Sequence, residues 1–375
     1  MKIVFISPYF LPVRGGVENH IYQLGRQLVS RGEEVLIVTG NRDHQGKKLS
    51  VSAQEVMAGL TIIRLPVVAG SARIFPGGWV LGLTKQLRKI NPEVVHFHND
   101  AYSFWGLLIA RLAKKNKFNL FFTPHFHQLK IIGPRSLLRY FSNLLLARRA
   151  KAVFFVSSFE EKLFFNKFSR VKDLKNKALV IGNGLADIFF QPINRLPDGE
   201  KKLLFVGGER KGKNIPELLE IFQQVSLTNQ KSKLVLVGRG TKQQKYLQLA
   251  KKLKIASRVE FKGEVSDEVL LTYYDQAYLF LTASRQESFG LAVIEALARG
   301  LPVIAYDYGP FPEIIKDTVN GRLVTKQQDF IAAILDLLNN PDLHQKYSEQ
   351  AIVSIRDYNW INIVEKVWPV YNKYL

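Results

Sequence analysis

Cysteine is absent from the 375 residues of the chain, so disulfide bonds and thiolate metal ligands are excluded. Long apolar runs are absent too, because no stretch of about 18 residues is apolar and free of charge, as a single membrane-spanning helix requires. The apolar start, MKIVFISPYF, is interrupted by Pro8 and is too short for a signal peptide. These absences predict a cytoplasmic protein, soluble or bound peripherally at the cytoplasmic face of a membrane.

Acidic residues are scarce relative to basic ones. The chain has 32 Asp and Glu against 53 Lys and Arg, which gives a net charge of +21. The imbalance lies in residues 1–190, which hold 28 basic and 11 acidic side chains, whereas residues 191–375 hold 25 and 21. A positive field of this kind attracts anionic partners, and phosphate groups, nucleic acid and an acidic membrane surface all fit that description.

Short apolar runs separated by amphipathic segments make up most of the chain. Runs rich in Val, Ile and Phe are typical of parallel strands covered by helices on both faces. Residues 17–31 are typical of the helices, with Val17, Ile21, Leu24 and Leu28 on one stripe and Gly32 as a stop. The strand candidates in the first half are KIVFIS (2–7), EVLIVTG (34–40), TIIRLPV (61–67), VVHFHN (94–99), LFFTPH (120–125) and AVFFVS (152–157).

The same pattern starts again after a polar, proline-containing stretch, DIFFQPINRLPDGEKK, which is typical of a linker. We therefore predict an α/β fold of two doubly wound, Rossmann-like domains that face a central cleft. The predicted N-terminal domain is 1–190 and the C-terminal domain is 200–355. A final helical segment, 356–375, carries Trp360 and Trp368 and is expected to pack back on the N-terminal domain.

Ligands of such sheets bind at the carboxyl ends of the strands, and two loops there combine glycine with the start of a helix. Gly16, in RGGVENH, lets a phosphate approach the N–H groups of a helix N-terminus, although a turn that merely needs glycine is the alternative. In VGGERKGKNIPELL, Arg210 and Lys213 crowd the loop before Pro216 and predict a diphosphate site. A solvated basic loop is the alternative.

Histidines follow two of the predicted strands. His125 comes directly after LFFTP and is followed by His127, while His96 and His98 lie at the neighbouring strand end. A metal cluster is one interpretation, but no carboxylate lies at a recognisable ligand spacing. We favour a single functional histidine, His125, with the others packing or hydrogen bonding, and we predict no metal site.

Two acids flank the start of a predicted buried helix in SRQESFGLAVIEALARGLPVIAYD (284–307). Ser288 is expected to cap a helix that begins near Phe289 or Gly290, so that backbone N–H groups there meet an anion. Glu287 lies just before this anion site and Glu295 about 8 Å further along the helix axis. Since carboxylates accept hydrogen bonds from pairs of hydroxyls, Glu287 suits a sugar and Glu295 a ribose on either side of a diphosphate.

These segments together resemble the retaining nucleotide-sugar glycosyltransferases of the GT-B fold, called family four or group one. The resemblance covers nearly the whole chain and is most specific in ESFGLAVIEALARGLPVIA, where two Glu are separated by seven residues. RGGVENH, EVVHFHND, TPHFH, VSSFE, VIGNG and GPFPEII support it. Many members carry Arg directly after the loop glycine, whereas this chain has Gly208 there, and Arg210 is the candidate replacement.

The resemblance implies a role for each matching residue and a reaction. The reaction would be hexosyl transfer from a nucleoside-diphosphate sugar to a hydroxyl acceptor, with retention at the anomeric carbon and without a cofactor. Asp-x-Asp does not occur, so a metal-chelated diphosphate is not expected. The implied contacts are Gly16 and Lys213 to the diphosphate, His125 and Glu287 to the transferred sugar, Glu295 to the ribose, and the amides of Phe289, Gly290 and Leu291 to the distal phosphate or sugar.

Residues 128–151 contain no acid, and they predict a contact with an acidic membrane. Leu137, Leu138, Phe141, Leu144 and Leu145 form an apolar stripe with Arg139, Arg148 and Arg149 nearby. An interfacial helix on anionic lipid has this composition, and a core-facing helix with a solvated basic face is the alternative. We expect a lipid-linked or glycolipid acceptor, or one in cell-surface polysaccharide synthesis.

Two rival functions fit parts of the pattern. A GT-B-like sugar-nucleotide epimerase would convert the donor without an acceptor, and a phosphorylase would need a pyridoxal-phosphate lysine and usually a longer chain. A basic nucleic-acid-binding protein would account for the charge. No recognition-helix, RNP or zinc-finger pattern is present, so we expect no nucleic-acid partner.

Overall fold

The computed structural model describes residues 1–13, 15–68, 78–98, 104–126 except 116–117, 134–168, 174–193, 200–241 and 243–375. It divides into two compact units, Met1–Gly184 with Trp360–Leu375, and Leu185–Asn359. The chain therefore passes between the units at residues 184–185 and 359–360, where the sequence predicts boundaries at 190 and 356.

Unit 1 contains an eight-stranded sheet in the order β10-β9-β8-β7-β1-β2-β4-β3. All neighbours are parallel except β3 and β4, and a separate antiparallel hairpin joins β5 to β6. The strands are β1 Lys2–Ile6, β2 Glu34–Gly40, β3 Gln54–Met57, β4 Leu60–Leu65, β5 Val67–Val68, β6 Trp79–Val80, β7 Val94–His98, β8 Asn119–Thr123, β9 Ala152–Phe155 and β10 Ala178–Val180. The helices that follow them are α1 Gly16–Ser30, α2 Leu83–Ile90, α3 Phe104–Lys115, α4 Pro134–Arg149 and α5 Ser158–Lys167.

The apolar strand residues of unit 1 alternate between two hydrophobic cores, one on each face of the sheet. In β1, Val4 and Ile6 belong to one core and Ile3 and Phe5 to the other. A strand with both faces buried favours apolar side chains at successive positions, which explains the mostly apolar runs in the sequence. The helix predicted over residues 17–31 is confirmed as α1, which ends at Ser30 before Gly32 with a left-handed φ of 86°.

Unit 2 contains a six-stranded parallel sheet in the order β13-β12-β11-β14-β15-β16. Its strands are β11 Lys201–Val206, β12 Ser232–Val237, β13 Val259–Gly263, β14 Leu279–Thr282, β15 Val303–Tyr306 and β16 Gly321–Val324. Its helices are α6 Ile215–Thr228, α7 Gln244–Lys252, α8 Asp267–Gln276, α9 Leu291–Ala298, α10 Phe311–Ile314, α11 Gln327–Asn339 and α12 Pro341–Ser354. The strand order reverses at β11, so the loops after β11 and β14 lie side by side where ligands of such sheets bind.

The last helix, α13 Trp360–Asn372, belongs to unit 1 although it follows unit 2 in the chain. It packs against α1 and buries Trp360, Val364 and Tyr371 in the core that also contains Phe5. None of the described helices is both long and apolar enough to cross a membrane.

Candidate active site

The loop after β14 leads into α9, and Gly290 sets where that helix begins. Gly290 is the N-cap with a left-handed φ of 102°, and its carbonyl accepts hydrogen bonds from the amides of Val293 and Ile294. A Cβ at Gly290 would lie 3.1 Å from Cε1 of Phe311, so a side chain there meets both backbone strain and a ring. The prediction that Ser288 caps this helix is wrong, since the helix begins at Leu291 and its cap has no side-chain hydrogen bond.

Lys213 and Glu287, predicted from separate motifs, form an ion pair between Nζ and Oε1. Both side chains are 17% exposed, which leaves the pair reachable from solvent but largely shielded. Shielding strengthens the attraction, and it also makes either charge costly to leave alone. The structure therefore brings the predicted diphosphate lysine and the predicted sugar-binding acid to one point at the carboxyl ends of β11 and β14.

The turn that carries Lys213 is fixed to the loop after β14 by backbone hydrogen bonds. The carbonyl of Gly212 accepts from the amide of Arg285 at 2.8 Å and from Oγ of Ser284 at 3.2 Å. A Cβ on Gly212 would lie 2.2 Å from Cβ of Gln286, so only glycine allows this approach. The two loops consequently act as one rigid element under Lys213.

Glu295 is half-buried on α9, and its Oε2 accepts a hydrogen bond of 2.7 Å from the hydroxyl of Tyr274. Burial raises the pKa of Glu295 to about 7, while the Tyr274 hydrogen bond and the charge of Lys213 lower it and Asp267 raises it further. An acid in this state changes protonation near neutral pH. Tyr274 was not predicted, because only the fold brings α8 beside α9.

Arg210 and Gly208 lie in the loop after β11. Arg210 is exposed and is the N-cap of the 3₁₀ turn Lys211–Lys213. Between them, the carboxylate of Glu209 accepts hydrogen bonds from Lys245 and Gln243, at the start of α7. A Cβ on Gly208 would meet only the carbonyl of Arg239, at 3.9 Å, so the space beside this glycine is open.

Gly16 is the first residue of α1, and the N-cap Gly15 has an extended backbone without a side-chain cap. The buried carboxylate of Glu18 lies at this N-terminus, where a Cβ on Gly15 would come within 2.4 Å of Oε2. Glu18 also pairs with His44 at 3.6 Å. An anion approaching Gly16 therefore meets an acid that is already there, a feature that sequence reasoning missed although Glu18 is only two residues beyond Gly16.

His125 lies two residues beyond the end of β8, with a left-handed φ of 46°, and is buried. The next residue, Phe126, donates its amide to Oε1 of Glu160, and Oε2 of the same carboxylate accepts the amide of Val156 at 2.7 Å. Burial raises the pKa of Glu160 to about 8, against the lowering effect of these two amides. Glu160 thus fixes the backbone next to His125, and the position of this backbone sets the direction of the His125 side chain.

His125 belongs to a cluster of buried histidines, because its Nε2 lies 3.2 Å from Nδ1 of His98 at the end of β7. His20 of α1 joins them, and its Nδ1 contacts Oδ1 of Asn183. One nitrogen from each of these three buried rings lies within 4.8 Å of the others, so this cluster could hold a metal ion. His20 was not predicted, although it follows Gly16 by one helical turn.

His96 has a different environment from the other histidines of unit 1. Its Nδ1 is 2.5 Å from the hydroxyl of Tyr371 and its Nε2 is 2.7 Å from Oγ1 of Thr123. Burial lowers the pKa of His96 well below its usual value, so the ring is neutral. Both nitrogens of His96 have hydrogen-bond partners within the protein, as expected for a packing histidine. His127, the other histidine named with them, lies outside the described residues.

Helix α4 exposes part of the predicted apolar stripe. Leu137, Phe141 and Leu145 are 59%, 46% and 37% exposed. Leu144 and Arg139 depart from the prediction because both are buried, and the guanidinium of Arg139 lies 4.4 Å from the ring centre of Phe126. The side chains of Arg148 and Arg149 are exposed at the end of the same helix, but residues 128–133 lie outside the described part of the chain.

Comparison with known families decides between the rival functions. The family model described as Glycosyltransferase Family 4 matches residues 14–185, and the model described as Glycosyl transferases group 1 matches residues 187–353. The chain belongs to the group 1 glycosyltransferases of the GT-B fold. It is a glycosyltransferase, and neither the epimerase nor the nucleic-acid-binding alternative is favoured.

Similar proteins cover nearly the whole of this glycosyltransferase. A phosphatidyl-myo-inositol mannosyltransferase of Mycobacterium leprae is 26% identical over 389 aligned positions, which span 99% of this chain and 96% of that protein. Sucrose-phosphate synthase of Thermosynechococcus elongatus superposes with a TM-score of 0.81 at 21% identity, covering 99% and 98% of the two chains. Anabaena HepE, solved in complex with UDP, gives a TM-score of 0.75 at 16% identity and full coverage of both chains. These likenesses confirm the predicted GT-B fold.

Proposed function

We propose that this glycosyltransferase moves a hexosyl unit from a nucleoside-diphosphate sugar to a hydroxyl group of a lipid or lipid-linked acceptor, with retention and without a metal ion. The observation that carries the proposal is the meeting of Lys213 and Glu287 beside Gly290 at the start of α9. The lysine cation and the helix N-terminus match the diphosphate of such a donor. The carboxylate, which accepts hydrogen bonds from hydroxyl groups, matches its sugar.

Donor binding exchanges partners in this site. The diphosphate takes Lys213 from Glu287, and the freed carboxylate of Glu287 accepts hydrogen bonds from sugar hydroxyls. The N–H groups at the start of α9, beginning with Leu291, precede the first intrahelical hydrogen bond and are available to bind the anion. We assign Phe289, Gly290 and Leu291 to the distal phosphate or sugar.

The ribose and the unit 1 contacts complete the assignment. Glu295 accepts hydrogen bonds from the ribose hydroxyls, in the place where Tyr274 now donates. In unit 1 we assign a backbone contact to phosphate to Gly16 and a contact to the donor sugar to His125, as the family resemblance implies.

Bond breaking releases the leaving diphosphate with the electron pair of the anomeric C–O bond. The acceptor oxygen bonds to the same face of the oxocarbenium-like sugar, and its proton passes to the departing phosphate oxygen. Preorganised cations and amides stabilise the developing negative charge, and Lys213, Arg210 and helix N-termini are the groups available for this. Transfer that persists at full rate in excess EDTA would support independence from metal, and loss restored by Mg²⁺ or Mn²⁺ would contradict it.

The acceptor side of the proposal is supported by α4 and by the relatives. An exposed apolar face of Leu137, Phe141 and Leu145 next to Arg148 and Arg149 suits the surface of an anionic membrane. The Mycobacterium leprae relative is named for a phosphatidylinositol acceptor. We place the reaction on the cytoplasmic face, where nucleotide sugars would be available.

A thermal-shift panel of UDP-, GDP-, ADP- and dTDP-sugars tests the donor class, because a ligand that binds the folded state raises Tm. One nucleotide series should stabilise the protein, and the stabilising member should then label a lipid extract with radioactive sugar. Lys213→Ala should abolish the shift. Failure of every nucleotide sugar to raise Tm or to support transfer would overturn the proposal.

A further inference from the structure

Two ring nitrogens next to His125 are buried without a hydrogen-bond partner. They are Nε2 of His20 and Nε2 of His98, whose residues are 1% and 0% exposed. No partner for either atom exists among the residues that the structure describes. Leaving a buried polar nitrogen unsatisfied is costly, and protein interiors rarely do so twice in one cluster. The neighbouring His96, with both nitrogens bonded to protein, shows how the same unit satisfies a packing histidine.

The contact to Asn183 fixes the chemistry of His20. Oδ1 of Asn183 can only accept, so Nδ1 of His20 carries the proton and donates it. Burial lowers the pKa of His20 to about 4, and the ring is neutral. Its Nε2 therefore presents a lone pair, and a partner for this atom must be a donor.

The contact between His98 and His125 supplies the complementary group. Nδ1 of His98 and Nε2 of His125 share one proton across 3.2 Å. When His125 donates it, the neutral His98 carries its own proton on Nε2, which becomes a donor without an acceptor. His20 then offers a lone pair and His98 an N–H, in a cluster where one nitrogen from each ring lies within 4.8 Å of the others.

A hydroxyl group satisfies both nitrogens at once, because it donates one hydrogen bond and accepts up to two. An oxygen about 2.8 Å from two nitrogens at a tetrahedral angle separates them by about 4.6 Å, which lies within the 4.8 Å limit on the separation of one nitrogen from each ring. The indole N–H of Trp360 is also buried without a partner among the described residues, and its ring packs against His20 with the ring centres 5.2 Å apart. Four zinc ligands would need separations of about 3.3 Å and a further ligand, and no carboxylate belongs to this cluster as described.

We propose that His20 and His98 form a subsite that binds one hydroxyl group of a sugar or polyol substrate beside His125. The assignment rests on the proposed function in one respect, which is that the hydroxyl group belongs to a substrate of glycosyl transfer. In this arrangement His125 donates to His98, and His98 donates to the hydroxyl group. The hydroxyl group in turn donates to His20, and His20 donates to Asn183. Both histidines are binding residues of unit 1 in addition to those that the sequence predicts.

Nitrogen NMR of the protein labelled with ¹⁵N-histidine tests this directly, because the shift of a ring nitrogen reports its proton and its hydrogen bond. The probes are UDP and GDP, UDP-glucose, UDP-N-acetylglucosamine, GDP-mannose, myo-inositol and glycerol, each added alone. At least one hydroxyl-bearing sugar or polyol should move the Nε2 signals of His20 and His98 while those of His96 stay in place. The free nucleotides should leave all of them unchanged.

Other NMR outcomes would overturn the proposal. Unchanged Nε2 signals in the presence of a sugar nucleotide that raises Tm would show that donor binding is real and this subsite is not. Nε2 shifts typical of a hydrogen-bonded nitrogen, both in the free protein and with every probe, would indicate a permanently bound water molecule instead. A stoichiometric metal in the purified protein, with Zn²⁺ moving the same signals, would mean a metal site instead.

Kinetics give a second measurement with a matched control. His20→Gln and His98→Gln should each raise KM for one hydroxyl-bearing substrate about tenfold, the effect of losing one hydrogen bond, with kcat changed less than about threefold. His96→Gln should lower Tm but leave both KM values unchanged. Equal KM values in the wild type and in both folded variants would contradict the proposal.

Discussion

Lys213 and Glu287 lie 74 residues apart in the chain, and the ion pair between their side chains bridges the loops after β11 and β14. The pair occupies the place where we propose that a diphosphate and a sugar bind. Each residue therefore has a partner in the free protein that it must leave when the donor arrives. This exchange gives both charged groups a partner before and after binding: each other in the free protein, and the phosphate for Lys213 and the sugar hydroxyls for Glu287 in the complex.

Loss of either member of that pair should reduce turnover while the fold survives. Lys213→Ala and Glu287→Ala should each lower kcat/KM by at least about tenfold, since a hydrogen bond to a charged group is worth about 1.5–3 kcal/mol. Steady-state transfer assays at matched protein concentration, with Tm as a check of folding, measure this. The control is Lys245→Ala, which breaks the more exposed pair with Glu209 and should leave kcat/KM within about twofold. Near-normal rates in both site variants would discredit the assigned roles.

Glu295 should make stability depend on pH in a defined window. Its pKa is raised to about 7 in the folded state, so the stabilisation is complete below the unfolded value near 4.5 and is lost as pH rises to about 7. The loss is about 3 kcal/mol at most. Urea unfolding between pH 4.5 and 8 should show a flatter curve for Glu295→Gln than for the wild type. Parallel curves would mean that Glu295 does not titrate in this range.

Glu160 should affect activity through the position of His125. Glu160→Gln replaces one of the two accepting oxygens by an NH₂ group that faces a backbone amide, and should cost about 1–3 kcal/mol of stability. Turnover should fall because the backbone at Phe126 is released. Glu161→Gln, one residue away, is the control. If Glu160→Gln lowers Tm without any change in kcat, Glu160 is structural and does not position His125.

The exposed face of α4 should determine binding to lipid. Phe141→Ser and Leu137→Ser should each weaken co-sedimentation with anionic liposomes several-fold, because each removes apolar surface from the bilayer contact. Leu227→Ser is the matched control, since Leu227 is 69% exposed on α6 of unit 2. Binding that is equal with and without anionic lipid, or unaffected by the α4 variants, would remove the membrane contact.

Arg299 should be essential for the stability of unit 2. It is fully buried, pairs with Asp275 through Nε and Nη2 at 2.7 and 2.9 Å, and donates to the carbonyls of Phe189, Gln191 and Pro192. Arg299→Lys cannot make this set of bonds and should cost about 3–5 kcal/mol in urea unfolding. Arg239→Lys, in an exposed bidentate pair with Glu264, should cost less than about 1 kcal/mol. Equal effects of the two variants would contradict this account.

The sequence predicts local features of the fold and the site well. Continuous apolar strands, the stripe of α1, and the loops that carry Lys213 and Glu287 depend on neighbours within a few residues. The N-cap of α9 was predicted wrongly because Ser288 has the better capping side chain, whereas the close approach of Phe311 requires a left-handed glycine at position 290.

Contacts between distant segments account for what the sequence does not predict. The hydrogen bond of Tyr274 to Glu295, the carboxylate of Glu160 under Phe126 and the pairing of His20 with Asn183 each join different elements. Burial decides the rest, since Arg139 and Leu144 turn inward on a helix whose composition alone favours neither face.

The return of α13 to unit 1 has a consequence for biosynthesis. Trp360 and Tyr371 complete the core around Phe5, so the first half of the polypeptide leaves the ribosome with that face of its sheet covered only in part, by α1. The second unit is continuous from residue 185 to 359 and can fold as soon as it emerges. Unit 1 can therefore complete its core only after unit 2 has been synthesised, although its first residues are translated first.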